Sequence, residues 1–444
     1  MSYLEAFLGR SFERLTFADL QRLVDGRAGE DTQLDFKREL YVEGQELATD
    51  VIALANSVGG AIVIGVEEKD AIASAVTPVE LSDQTMVKMR QWLASLTAPR
   101  VHDLDIHVLP SPDDKQKGAY IVEVPRSPRF PHAVVKGVSL RYYYRAGPSN
   151  HPMSEAQVAE AYQSRSSRFR QREERLESIT KAAAPNAYAD ERGYRAWLAV
   201  TLMPAYAGVM DISARRLRAI EKWADDTCER LHRGLVRRGA KAIPDIERVS
   251  VTTRNKESDP ALGYFLQLYT DGAASAAAQL FTQDLIYGPG QAPSGIGIFG
   301  DDLVRTAAEC LRVVVAHASL NTGVRGDALV RCSLIFGTGP AQLGYAHYHD
   351  EWEQYEPSRP IAARGAPVGT PRGIDIDAVL NSPAEWMSAT RLMSTDLFHA
   401  FGQPEVLQIT ESGAFNTNYW RPNLLDGWKL VEKVPRVSEQ IRFR

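Results

Sequence analysis

Residues 53–68 read ALANSVGGAIVIGVEE. Leu47, Val51, Ile52, Leu54, Ala55 and Val58 recur at helical spacing, so the pattern predicts a helix over 44–58. Gly59-Gly60 ends it, because glycine takes a left-handed turn without steric cost. AIVIGV (61–66) is an unbroken apolar run and reads as a strand buried on both faces. Upstream, 11–26 is an amphipathic helix with Phe17, Leu20, Leu23 and Val24 on one face and Thr16 as its cap. QLDFKREL follows. Its Leu34 and Phe36 alternate with Asp35 and Lys37, which predicts a strand with one buried face. Downstream come a helix over 83–97, strands at 105–109, 120–124 and 138–147, and a helix opened by Ser154. Pro125, Pro128 and Pro131 force an extended path between them.

The whole chain has 444 residues, a prior for two or three domains. Its 44% apolar and 24% charged residues exclude disorder, collagen and coiled coil for the chain as a whole. A net charge of −5 excludes a uniformly basic coat but leaves room for a local basic face. Cys228, Cys310 and Cys332 lie far apart and offer neither zinc spacing nor a disulfide framework, which fits a reducing cytosol. The first ten residues lack the apolar core of a signal peptide, and no apolar run approaches membrane-spanning length. The expectation is a cytoplasmic protein with no membrane partner. Past residue 165 the composition turns polar and charged. The segment 166–192 reads as a mixed-charge helix running into a linker. The remainder, 193–444, alternates strands (196–203, 248–254, 263–270, 328–336) with helices (213–238, 301–319, 383–401), an α+β pattern. GAASAAAQ (272–279) is its one low-complexity tract.

Two features of the first half carry chemistry. On a strand, Asp35 and Lys37 project together. A carboxylate beside an ammonium suits metal-dependent phosphodiester cleavage, with Glu30 and one of Glu67, Glu68 or Asp70 as further carboxylates. The alternative is a surface ion pair. The second feature is charge. From Arg126 to Arg172 nine basic residues face only Glu155 and Glu160, a local net charge of +7. Within it RYYYR alternates, so Arg141, Tyr143 and Arg145 share a face that suits phosphate pairing and base stacking. A solvated strand face is the alternative reading.

In order, Glu30-x4-Asp35-Phe36-Lys37, ALANSVGGAIVIGVEE, VPRSPRFPH (124–132) and YYYRAGPSNHPMS (142–154) resemble the Schlafen-type, Alba-like domain, over roughly residues 12–165. The resemblance implies a small α/β nucleic-acid-binding fold. In Schlafen proteins that cut transfer or ribosomal RNA, three carboxylates form the active site. By that likeness Glu30, Asp35 and Glu67 are the catalytic carboxylates and metal ligands for Mg²⁺ or Mn²⁺, and Lys37 assists. Asp35 stands where the family has Glu, and Glu67 where it has Asp. Those nucleases also pair two lobes, so a single copy implies a homodimer. The family's ATP-binding label finds no P-loop motif here.

His347-Tyr348-His349-Asp350-Glu351 invites a metal reading but lacks a later ligand, so a polar strand end is favoured. His132 and His151 read as loop histidines, and Trp223, Trp352, Trp386 and Trp420 as core or interface anchors. The sequence therefore points to an α+β protein in three parts: a Schlafen/Alba-like domain over 12–165, a charged helical linker over 166–192, and an α+β domain of unread role over 193–444. The favoured function is nucleic-acid binding, to RNA or DNA backbone, by Arg126, Arg129, Lys136, Arg141, Tyr143 and Arg145. A metal-dependent endoribonuclease acting on structured RNA such as tRNA is the enzyme alternative, and a protein–protein assembly module is the third.

Overall fold

The computed structural model describes residues 4, 8, 14–101, 104–188, 196–231, 240–253, 264–285, 295–336, 341–349, 352–357, 368–421 and 436–437. The chain divides into two units, Met1–Phe169 and Arg170–Arg444. Both are α+β.

The first unit runs α1 (Phe17–Asp25), β1 (Leu34–Lys37), α2 (Gly44–Ala55), β2 (Gly60–Ile64), β3 (Val66–Lys69), β4 (Ile72–Val76), β5 (Val79–Glu80), α3 (Asp83–Leu96), β6 (Thr97–Ala98), β7 (Asp105–Pro110), β8 (Lys117–Val124), β9 (Ala133–Lys136), β10 (Ser139–Ala146) and β11 (Ser149–Pro152). Its main sheet has the order β1-β2-β8-β5, with β7 also on β8. The β1–β2 pair is parallel, with Leu34 opposite Ala61. Alternate residues of β2 and β8 enter two separate cores. Ala61, Val63, Ala119 and Ile121 meet α1 through Leu20 and Leu23. Ile62, Ile64, Tyr120 and Val122 meet α2 and α3 through Leu47, Val51, Met89 and Leu93. Cover on both faces is why AIVIGV carries no polar residue. A second sheet, β11-β10-β9-β6, contains the hairpin of the basic segment.

One expectation needs correction. Strand β1 is buried on both faces, not one, and Asp35 is 3% exposed. Leu34 and Phe36 enter the α1 core, as the alternation predicts. The opposite face is covered in its turn, because Asp50 of α2 and Arg145 of β10 both reach it.

Helix α4 (Glu155–Tyr188) is continuous through the predicted domain end at 165 and through much of the predicted linker. The unit division falls within it, after Phe169. Residues 189–195 of the expected linker lie outside the described residues.

The second unit continues with β12 (Ala196–Pro204), α5 (Ala214–Leu231), β13 (Ala240–Pro244), β14 (Arg248–Thr253), β15 (Tyr264–Tyr269), β16 (Ala274–Gln279), β17 (Thr282–Leu285), β18 (Gly295–Phe299), α6 (Gly300–Ala316), β19 (Asp327–Phe336), β20 (Ala341–His349), β21 (Trp352–Pro357), β22 (Arg372–Asp375), α7 (Ile376–Asn381), α8 (Pro383–Ala400), β23 (Phe415–Asn416) and β24 (Arg436–Val437). Seven antiparallel strands form the sheet β13-β14-β15-β16-β12-β19-β22. The low-complexity tract is the buried strand β16, whose Ala274, Ala276 and Ala278 lie in the same core as Leu303, Ala307 and Leu311 of α6. Leu176 and Ile179 of α4 pack with Met203, Ala273 and Leu329. Trp386 and Trp420 are buried core anchors, and Trp223 packs against the same core.

Candidate functional site: a buried ion-pair network and a basic hairpin

The carboxylate of Asp31 accepts from the backbone N–H groups of Gln33 and Leu34, a turn that launches β1. Asp35 and Lys37 then project together from that strand. The Lys37 ammonium lies 2.5 Å from Asp35 Oδ2 and 3.5 Å from Asp50 Oδ2. Asp35 Oδ1 pairs with Arg145 at 2.9 Å. Arg145 also donates to the carbonyls of Asp31 (2.8 Å) and Leu34 (3.0 Å), and its backbone N–H donates to Ser57. Asp50 accepts from the Tyr41 hydroxyl and from Asn150 Nδ2, each at 2.6 Å. Asp35, Lys37, Tyr41, Asp50, Arg145 and Asn150 thus form one network, drawn from four segments of the chain.

Burial pulls the Lys37 amine down, but Asp35 and Asp50 together hold it above the usual lysine value, so it is a permanent cation. Burial, then repulsion from Asp35, raises the Asp50 carboxyl, against the pull of Lys37. Burial also raises Glu30, against the hydrogen bond that its Oε1 takes from the Phe36 N–H at 2.6 Å. Burial and the nearby Asp50 push the Tyr41 phenol well above its ordinary value. Lys37, Tyr41 and Asp50 line one cavity of about 580 Å³.

A raised folded-state pKa at Asp50 has a defined sign. The folded protein holds that proton more tightly than the unfolded chain. The contribution to stability is full below the ordinary aspartate value of about 3.9 and declines as pH rises through the raised value. Asp50→Asn removes this titration. The melting temperature of the wild type relative to Asp50→Asn is therefore expected to fall as pH rises through that window, and melting curves over a pH series check it. A difference that grows with pH would contradict the assignment.

The three carboxylates suggested by the family likeness are engaged separately. Both oxygens of Asp35 face cations, Glu30 serves a backbone N–H, and Glu67 pairs with Arg38 at 3.0 Å. Among the described residues no group of three His, Cys, Asp or Glu side chains is placed to hold a metal ion. The residues present therefore do not fit a shared divalent cation.

The basic segment divides by depth. Hairpin β9–β10 turns at Gly137-Val138, with Lys136 opposite Ser139 and Arg141 opposite Val134. Gly137 supplies the positive φ of +60° that this two-residue turn needs. Arg141 is exposed, Tyr143 is half-buried against the α2 core, and Arg145 is 4% exposed. The expected Arg141–Tyr143–Arg145 phosphate face therefore does not form. β10 runs from solvent into the domain, and its last arginine neutralises Asp35. Arg126, Lys136 and Arg141 are exposed and have no ion-pair partner among the described residues. Arg129 is half-buried, and its carbonyl accepts from Arg165. Arg168 lies over the Phe130 ring, 4.9 Å from the centroid.

His132 is fully buried, with Nδ1 2.7 Å from the Pro99 carbonyl oxygen, so it is a scaffold residue. Exposed His151 lies beside the Tyr144 ring. Of the HYHDE stretch, 347–349 form the end of β20, and Asp350 and Glu351 lie outside the described residues. Sequence reading missed Asp50, Tyr41 and Asn150. Asp50 had a signal: it is an acid set between the apolar residues Leu47 and Val51 where the helix turns to its apolar half, Val51–Ala55.

Comparison with known proteins gives a family match that lies within the first unit. No curated protein matches the chain. Among solved structures, the DIP2311 protein from Corynebacterium diphtheriae is 19% identical, with a TM-score of 0.24, covering 33% of this chain and 32% of that one. The chain thus spans about a third of that relative. The N-terminal domain of a RecG-related protein from Nitrosomonas europaea is 16% identical, with a TM-score of 0.24, covering 30% of this chain and 88% of that one. The family model described as "Schlafen, AlbA_2" matches residues 30–154, which hold both the Asp35–Arg145 pair and the basic hairpin. Over residues 30–154, in its N-terminal third, the chain is therefore similar to the Schlafen AlbA_2 family.

Proposed function

We propose that the N-terminal domain binds nucleic-acid backbone through the tip of hairpin β9–β10 and Arg126. One observation carries this reading: Lys136 and Arg141 stand exposed, without an ion-pair partner among the described residues, on either side of a turn whose Val138 is 107% exposed. Cations flanking an apolar tip suit a surface that meets phosphates and enters a groove. The family match supports the same reading. The metal-dependent ribonuclease reading lacks comparable support, because its carboxylates are spent on separate partners.

The test is salt-dependent binding of a fluorescein-labelled DNA duplex and of single-stranded RNA to the full chain. Replacing Arg126, Lys136 and Arg141 by glutamine is expected to make the plot of log affinity against log salt shallower by about 2–3 for duplex. Preference between the two probes assigns DNA or RNA. An unchanged slope with both probes would reject the hairpin as the binding face.

A further inference from the structure

Helix α5 reads ARRLRAIEKWADDTCERL. Ile220 and Ala224 are buried in the second unit's core, and Leu217 and Trp223 pack beside them, so the helix is fixed in rotation. Arg215, Arg218 and Lys222 fall at i, i+3 and i+7 and share another flank. All three are exposed, and none has an ion-pair partner among the described residues. Along the axis they are spaced by about 4.5 and 6 Å.

The described acids of the helix, Glu221, Asp225 and Asp226, make no ion pair with that flank. Glu221 accepts from the backbone N–H of Ala242 at 3.1 Å, and Asp225 from that of Ala240 at 2.9 Å. Asp226 is exposed and makes no ion pair with Lys222 one turn earlier. Among the described residues of this helix, Arg216 has an acid partner, Asp211, at 3.3 Å. Lys241, on the strand against which α5 packs, is exposed as well. Like charges one turn apart destabilise a helix unless something anionic answers them.

We infer that the Arg215–Arg218–Lys222 flank of α5 is a second contact surface for nucleic-acid backbone, separate from the hairpin of the first unit. A row of cations spaced along a helix matches a row of phosphates and needs no base contact. The choice of nucleic acid as the anionic partner rests on the reading of the N-terminal domain.

The experiment compares three full-length proteins on the labelled duplex across a salt series: wild type, the hairpin triple glutamine variant, and Arg215→Gln/Arg218→Gln/Lys222→Gln. The α5 variant is expected to lower the salt slope by about 2–3, as a surface holding three phosphates would. An unchanged slope in the α5 variant, with a shallower one in the hairpin variant, overturns this inference and leaves the hairpin reading intact. A shallower slope in the α5 variant alone supports this inference and sinks the hairpin reading. Circular dichroism checks the fold. Should the triple variant unfold, the three single variants replace it, each expected to lower the slope by about one, and three unchanged slopes overturn the inference.

Discussion

Replacing Arg145 with alanine is expected to destabilise the N-terminal unit by about 3–5 kcal/mol, the cost of stranding a buried charge. The side chains of Arg145 and Asp35 are 1% and 4% exposed. Alanine would leave Asp35 Oδ1 facing protein without its guanidinium, and would leave the Asp31 and Leu34 carbonyls short of a donor. Lys37 remains on the other oxygen, so the charge is half compensated. Adding Asp35→Asn to the alanine variant is expected to recover part of the loss, since a neutral amide is cheaper to bury than a carboxylate. The measurement is native-state hydrogen exchange at the amides of β1 and β2, which reports on this unit without assuming that the whole chain unfolds in one step. Unchanged exchange would show that the pair is not structural. Were Arg145 a phosphate contact, the variant would lose binding and keep its protection.

Gly60→Ala is expected to cost about 3 kcal/mol, the upper end of what overpacking normally does. A Cβ at Gly60 would lie 2.1 Å from the Gln33 carbonyl oxygen, and that oxygen accepts the Ala61 N–H at 2.8 Å. The obstruction is backbone, so no rotamer relieves it. The strands must part just where Leu34 begins the β1–β2 register. Gly137→Ala is the control: nothing lies within 4 Å of its added Cβ, so only the positive φ is penalised, at about 1 kcal/mol. Denaturation midpoints of the two variants give the comparison. Equal losses would mean that conformation, not the close approach to Gln33, makes Gly60 necessary.

Much of the first unit was legible because its cues are local. The glycine pair, the apolar run of β2 and the alternation in β1 each depend on neighbours in the chain. The function of Asn56 was not legible. Its side chain donates to the carbonyls of His132 and Tyr143 and accepts from the His132 N–H, joining the end of α2 to two distant segments. Arg145 was misread for a related reason. Alternation tells which face a residue takes, but not how deep that end of the strand lies. The charge count treated all nine basic residues as surface, although one of them had a buried acid waiting in β1. In the second unit α5, α6, α8, β12, β14, β15 and β19 were legible from periodicity, while α7, β13, β16, β17, β18, β21, β22 and the charged flank of α5 were passed over.

The acids of α5 have a consequence for solubility. β13 is the outermost strand of the seven-stranded sheet, and outermost strands invite another chain to extend them. Glu221 and Asp225 already occupy the N–H groups of Ala242 and Ala240, two residues apart, on the side turned away from β14. A foreign strand approaching that side would find two of its donors taken and two carboxylates in the way. The helix thus guards the sheet against edge-to-edge aggregation.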